Sequence, residues 1–90
     1  HNLKTEDCWG VLYRKGHYIK THHHWPSALS WTYYVKTSKN TEPFIFVGNG
    51  VEHKIYPKVG DLIIFPSVMN HRVPMSQTDD ERIVVVGNIR

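Results

Sequence analysis

Cysteine is nearly absent. Cys8 is the single one in 90 residues, so no internal disulfide framework holds the chain together. One thiol fits a reducing compartment, and with no secretory signal at its start the chain is expected to be cytoplasmic. No apolar run approaches the length that crosses a bilayer, so no membrane partner is expected. Basic runs are missing too: the formal charge is +3, with Lys and Arg scattered and forming no stripe, which argues against a nucleic-acid partner. Glycine and proline are few, and hydrophobic residues (40%) outnumber charged ones (21%), which argues against disorder. A serine elbow, a phosphate loop, a CxxC pair and paired carboxylates are all lacking, which removes the enzyme classes built on them. Cys8 has no nucleophile context either, so packing is its expected role.

What remains is a short, aromatic-rich chain (12% Phe, Trp and Tyr) that sustains one core. It opens at His1 rather than methionine, as a processed product or a piece of a longer reading frame would. Residues 1–90 are read as a single domain. Residues 1–7 are polar and read as a frayed start. Strand-forming runs then follow at 8–14, 17–21, 28–36, 44–47, 52–56, 62–65, 71–75 and 81–88, separated by turn signals such as Lys15-Gly16, Gly48-Asn49-Gly50 and Gly60-Asp61. The continuous apolar run at 62–65 has the form of a buried strand. No stretch has a helical period and no internal repeat is visible. About eight short strands predict an all-β sandwich or small barrel, best drawn as a double-sheet jelly roll with side chains from both sheets meeting in a central cavity.

Seven histidines are present, and three form the run His22-His23-His24. If that segment is extended, His22 and His24 share a side while His23 faces away. His71, at the start of a later strand, offers a third imidazole. Three imidazoles suit zinc, iron, copper or nickel and leave coordination positions open, as in a catalytic site. The plainer alternative, a polar loop and an unrelated strand-end histidine, is the weaker reading of an HxH pair with a third histidine downstream.

Arg82 opens a strand that is otherwise almost wholly aliphatic (Ile83, Val84, Val85, Val86). Residue type alone leaves two readings open: a cavity arginine that grips a carboxylate bidentately, or a rim arginine paired with Glu81 or Asp80. In the 28–36 strand, small or polar Ala28, Ser30 and Thr32 alternate with large Leu29, Trp31, Tyr33 and Val35. Tyr33 is therefore expected in the core with Leu29 and Trp31. Tyr34 joins the side of His22 and His24 if the Pro26 bend preserves the alternation, and a buried phenol needs a hydrogen-bond partner.

The ordered set Trp9 to Gly16, His22-x-His24, Leu29-Ser30-x-x-Tyr33-Tyr34-Val35, Pro57-x-x-Gly60-Asp61-Leu62, Phe65-Pro66-Ser67, His71-x-Val73 and Glu81-Arg82-Ile83 resembles a branch of the 2-oxoglutarate/Fe(II)-dependent oxygenases, the HxH-containing one found in bacteria and bacteriophages. The resemblance implies a double-stranded β-helix of cupin-like form and an enzyme of the non-haem Fe(II) dioxygenase (hydroxylase) type. It implies that His22, His24 and His71 hold Fe(II), with His24 standing where better-known members carry an aspartate. It implies that Arg82 binds the far carboxylate of 2-oxoglutarate, which decides between its two readings, and that Tyr34 or Tyr33 adds a hydrogen bond. Trp31, where relatives have glycine, is expected to narrow the cavity. Val84, where many have a polar residue, is expected to weaken the cosubstrate grip.

Two other functions compete. One is a three-histidine cupin dioxygenase that does not use 2-oxoglutarate, although the glutamate that cupins carry just after the HxH pair is missing from residues 26–30. The other is a catalytically inactive metal-binding or small-molecule-binding module. The prime substrate, small molecule or peptide, is assigned to loops 37–43 and 66–70, and exposed sheet edges make a homodimer the expected assembly.

Overall fold

Alternating short apolar runs broken by turn residues build eight strands. The computed structural model describes residues 5–23, 25, 27–38, 42–78 and 80–90, with only the backbone at Thr5, Glu6 and His22. The strands are β1 (Thr5–Tyr13), β2 (Ile19–His22), β3 (Leu29–Lys36), β4 (Phe44–Gly48), β5 (Val51–Ile55), β6 (Leu62–Pro66), β7 (Asn70–Val73) and β8 (Arg82–Ile89). They form two four-stranded antiparallel sheets, one ordered β1-β8-β3-β6 and the other β2-β7-β4-β5. Successive strands thus alternate between the sheets, except at the β4-β5 hairpin, giving the double-sheet jelly roll expected from the strand count. Among the described residues no helix is present, and none is long and apolar enough to cross a membrane.

Turn chemistry sets the register. Gly48 pairs with Val51 across a two-residue loop, where Asn49 (φ 52°) and Gly50 (φ 73°) both take positive φ. That is the turn whose twist matches a hairpin, and Asn-Gly is the pair that adopts it at least strain. Between the sheets, Phe44, Phe65 and Val73 form the core, with Tyr13, Ile19, Phe46 and Ile63 packed against them. At one end a buried polar chain ties three strands together. Ser30 Oγ donates to Asn88 Oδ1 at 2.6 Å and lies 2.8 Å from Ser67 Oγ, while Asn88 Nδ2 donates to Asp7 Oδ1 at 3.0 Å.

Several expectations are corrected. Residues 5–7 are not frayed but open β1, because Thr5 and Asp7 pair with the end of β8. The run at 62–65 is not buried on both sides: β6 is an edge strand, with Ile63 and Phe65 turned inward and Leu62 and Ile64 exposed. On β3 the faces are reversed. Ser30, Thr32 and Tyr34 are buried and face the cavity side, whereas Tyr33 and Val35 are exposed on the outer face. Trp31 lies on that outer face too, over Gly87, and so does not narrow the cavity.

Candidate functional site

The inward faces enclose a cavity of about 90 Å³ to which Tyr13, Thr32, Tyr34, His71 and Arg82 contribute the polar lining. Each is placed by strand alternation. Tyr13 is the last residue of β1 and lies directly across from Arg82, the first of β8, while Tyr34 lies across from Val84 on the other flank of β8. Residues opposite one another on antiparallel strands share a face, so one arginine is bracketed by two phenols.

Arg82 is 3% exposed. Its guanidinium carbon stands 5.6 Å from the centre of the Tyr34 ring, Nε donates to Thr37 Oγ1 at 3.4 Å, and Nη2 donates to the Glu42 carbonyl. The rim alternative does not hold: Asp80 accepts from Ser38 Oγ, and Glu81 faces Arg14 at 3.6 Å and Lys36 at 3.9 Å. Burial lowers the Arg82 pKa, opposed by Tyr34, Tyr13 and Glu42. Burial also pushes the Tyr13 phenol up to about 12, aided by Tyr34 and opposed by Arg82. Tyr34 is raised by burial as well, offset in part by the Thr32 hydroxyl and the Arg82 charge. Both phenols therefore keep their protons at neutral pH and can donate hydrogen bonds to an anion beside Arg82.

His71 is 3% exposed, stacked on Phe44 (ring centres 5.2 Å apart) and edge-on to Phe65 (4.9 Å). Its Nδ1 lies 3.1 Å from the Met69 carbonyl oxygen, which can only accept, so Nδ1 donates to it and in the neutral ring the lone pair is on Nε2. A backbone carbonyl fixing the tautomer in this way is the common support of a metal-binding imidazole. In the ladder of β2 and β7, His22 is the register partner of His71. The side chain of His22, and His24 altogether, lie outside the described residues. Among the described residues no group of three His, Cys, Asp or Glu side chains is placed to share a metal.

The structure thus brings His71, Arg82 and Tyr34 to one cavity and leaves Tyr33 out of it. Tyr33 is 42% exposed on the outer face, because β3 turns its small and polar residues inward. Val84 is buried in the cavity wall between Arg82 and Val86. Tyr13 is the residue the sequence reading missed. Its alternation with Trp9 and Val11 was visible, but only the pairing of β1 with β8 puts it beside Arg82.

Residues 46–88 match the model of a family described as "Putative 2OG-Fe(II) oxygenase". The resemblance holds over that stretch. The matched stretch runs from β4 through most of β8 and contains His71 and Arg82. Among solved structures, a 2OG-Fe(II) oxygenase family oxidoreductase from Burkholderia pseudomallei is similar at a TM-score of 0.87 and 16% identity, covering 97% of this chain and 44% of that one. A prolyl-4-hydroxylase from Pseudomonas putida is similar at 0.78 and 24% identity, covering 92% and 50%. A cupin domain from Bordetella pertussis is similar at 0.67 and 15% identity, covering 99% and 92%. At such identities these likenesses establish the fold, a cupin-type jelly roll. The chain spans half or less of the length of the two oxygenase structures. No curated protein matches it in sequence.

Proposed function

We propose that this chain carries the metal-binding and cosubstrate-binding core of an Fe(II)/2-oxoglutarate-dependent oxygenase of the hydroxylase type. The observation that carries the reading is a buried guanidinium and a buried, tautomer-fixed imidazole lining the same cavity. The residues suit such a centre. His71 offers a neutral nitrogen lone pair, His22 occupies the register position across from it, and Arg82 brings a cation for a distant carboxylate. His22, His24 and His71 would hold the metal, and the bound Fe(II) with 2-oxoglutarate would supply dioxygen activation. Arg82 neutralises the far carboxylate, protonated Tyr13 and Tyr34 donate to it, and Phe44, Phe65 and Val84 keep that end of the pocket dry. Loops 37–43 and 66–70 are the places to seek selectivity for the prime substrate, whether small molecule or peptide.

A second reading has its own support. Histidine at 24 in place of a carboxylate favours a metal-binding cupin module that does not use 2-oxoglutarate. Anaerobic titration separates the two. Fe(II) plus 2-oxoglutarate is expected to give a visible charge-transfer band that Arg82→Ala weakens at least tenfold in apparent affinity. Metal binding with no spectral or calorimetric response to 2-oxoglutarate would leave only the second reading standing.

A further inference from the structure

Resting on the reading above, we infer that Thr32 is a ligand-contacting residue: its hydroxyl donates a hydrogen bond to the acid that Arg82 anchors, and so selects an acid with a second polar end. Thr32 lies on the inward face of β3, is 6% exposed, and lines the same cavity as Arg82 and His71. Among the described residues its Oγ1 is the buried side-chain oxygen or nitrogen that finds no hydrogen-bond partner. Tyr34, the next inward residue of the strand, feels the Thr32 hydroxyl but does not close a hydrogen bond of ordinary geometry with it. A buried hydroxyl left in that state is unfavourable, and a β-branched apolar residue such as valine would suit the strand and the aliphatic wall formed by Val84 and Val86 better. The hydroxyl is accounted for if the partner is a ligand.

The register gives the ligand's reach. The Arg82 guanidinium stands over the Tyr34 ring, and Thr32 is one inward step further along β3, across from Val86 on β8. One such step is two residues, roughly 6–7 Å. A carboxylate held at Arg82 therefore leaves the other end of a short, five-carbon dicarboxylic acid at the level of Thr32, in the cavity to which β7 contributes His71. A monocarboxylate of the same length would place a methyl group there and leave the hydroxyl unpaired.

The test compares the wild type with Thr32→Val and Thr32→Ser. Binding of 2-oxoglutarate to the Fe(II)-loaded protein is measured anaerobically by calorimetry, and thermal unfolding is measured on the unliganded protein. Loss of a hydrogen bond to a charged ligand is expected to weaken 2-oxoglutarate about tenfold or more in Thr32→Val, with Thr32→Ser within about twofold of wild type. The unliganded Thr32→Val protein is expected to melt at the same temperature or higher, since an unpaired buried hydroxyl has been removed. Unchanged affinity in Thr32→Val overturns the inference and leaves the oxygenase reading in place. A lower melting temperature for Thr32→Val, unliganded, overturns it as well, because the hydroxyl is then structural. A wild-type protein that binds metal but not 2-oxoglutarate removes both.

Discussion

The two faces of the β1-β8-β3-β6 sheet contrast more sharply than its strands suggest. The inner face carries Ser30, Thr32, Tyr34, Arg82 and Asn88, all buried, while the outer face carries Leu12, Tyr33, Val35, Leu62 and Ile64, all exposed. Phe65 and Val84 are buried on the same inner face, which is thus mixed where an ordinary half-buried sheet is apolar, while the outer face exposes apolar residues where such a sheet is polar. The outer face of the other sheet behaves normally: Arg72 on β7 reaches Glu52 on β5 through Nε at 2.9 Å and through Nη2 as well. The difference shows what the cavity demands. A pocket for a charged ligand needs polar side chains inside, and β3 and β8 supply them among apolar neighbours such as Val84 and Phe65. Packing is left to Phe44, Phe65 and Val73.

The largest test of that contrast is on β6, where neighbouring residues point opposite ways. Phe65 packs against Phe44, Phe46 and His71 at ring-centre distances of 5.5, 5.2 and 4.9 Å, whereas Ile64 is 58% exposed. Phe65→Ala is expected to cost about 3–5 kcal/mol in chemical denaturation, and Ile64→Thr less than about 0.5 kcal/mol. Equal losses would mean that the outer face is covered in solution. A smaller effect is expected where the two faces meet through the backbone. A Cβ on Gly87 would lie 2.5 Å from the Trp31 indole, so Gly87→Ala must displace the ring. That should cost about 1–3 kcal/mol, and the double variant Gly87→Ala/Trp31→Ala should destabilise by less than the sum of its parts.

Much of this was legible in the chain itself. Turn residues and β-branched runs located all eight strands, and Asn49-Gly50 marked a hairpin whose geometry requires them. Ordered motifs pointed to His71 and Arg82, which share a cavity. The facing of β3 was not legible, because alternation gives two sets of residues without saying which set is inside. Size and hydrophobicity favoured the set Leu29, Trp31 and Tyr33, and the polar needs of the pocket decided for the other one. Tyr13 was hidden for a different reason. Its neighbour Arg82 is 69 positions away in sequence, and strand pairing of that kind follows from topology, not from local pattern.

The adjacent tyrosines provide the finest version of the comparison, since they have the same chemistry on opposite faces. Tyr34 is buried beside Arg82 with its phenol held protonated by burial, while Tyr33 is on the outer face with Trp31, Leu62 and Ile64. If Tyr34 donates to the carboxylate that Arg82 neutralises, Tyr34→Phe should weaken 2-oxoglutarate by a few-fold to about tenfold, the worth of one hydrogen bond. Tyr33→Phe should leave the affinity where it was. Calorimetry on the Fe(II)-loaded protein under anaerobic conditions reads both. Equal losses would show that the sheet's two faces communicate, and a loss confined to Tyr33→Phe would mean that β3 faces the other way in solution.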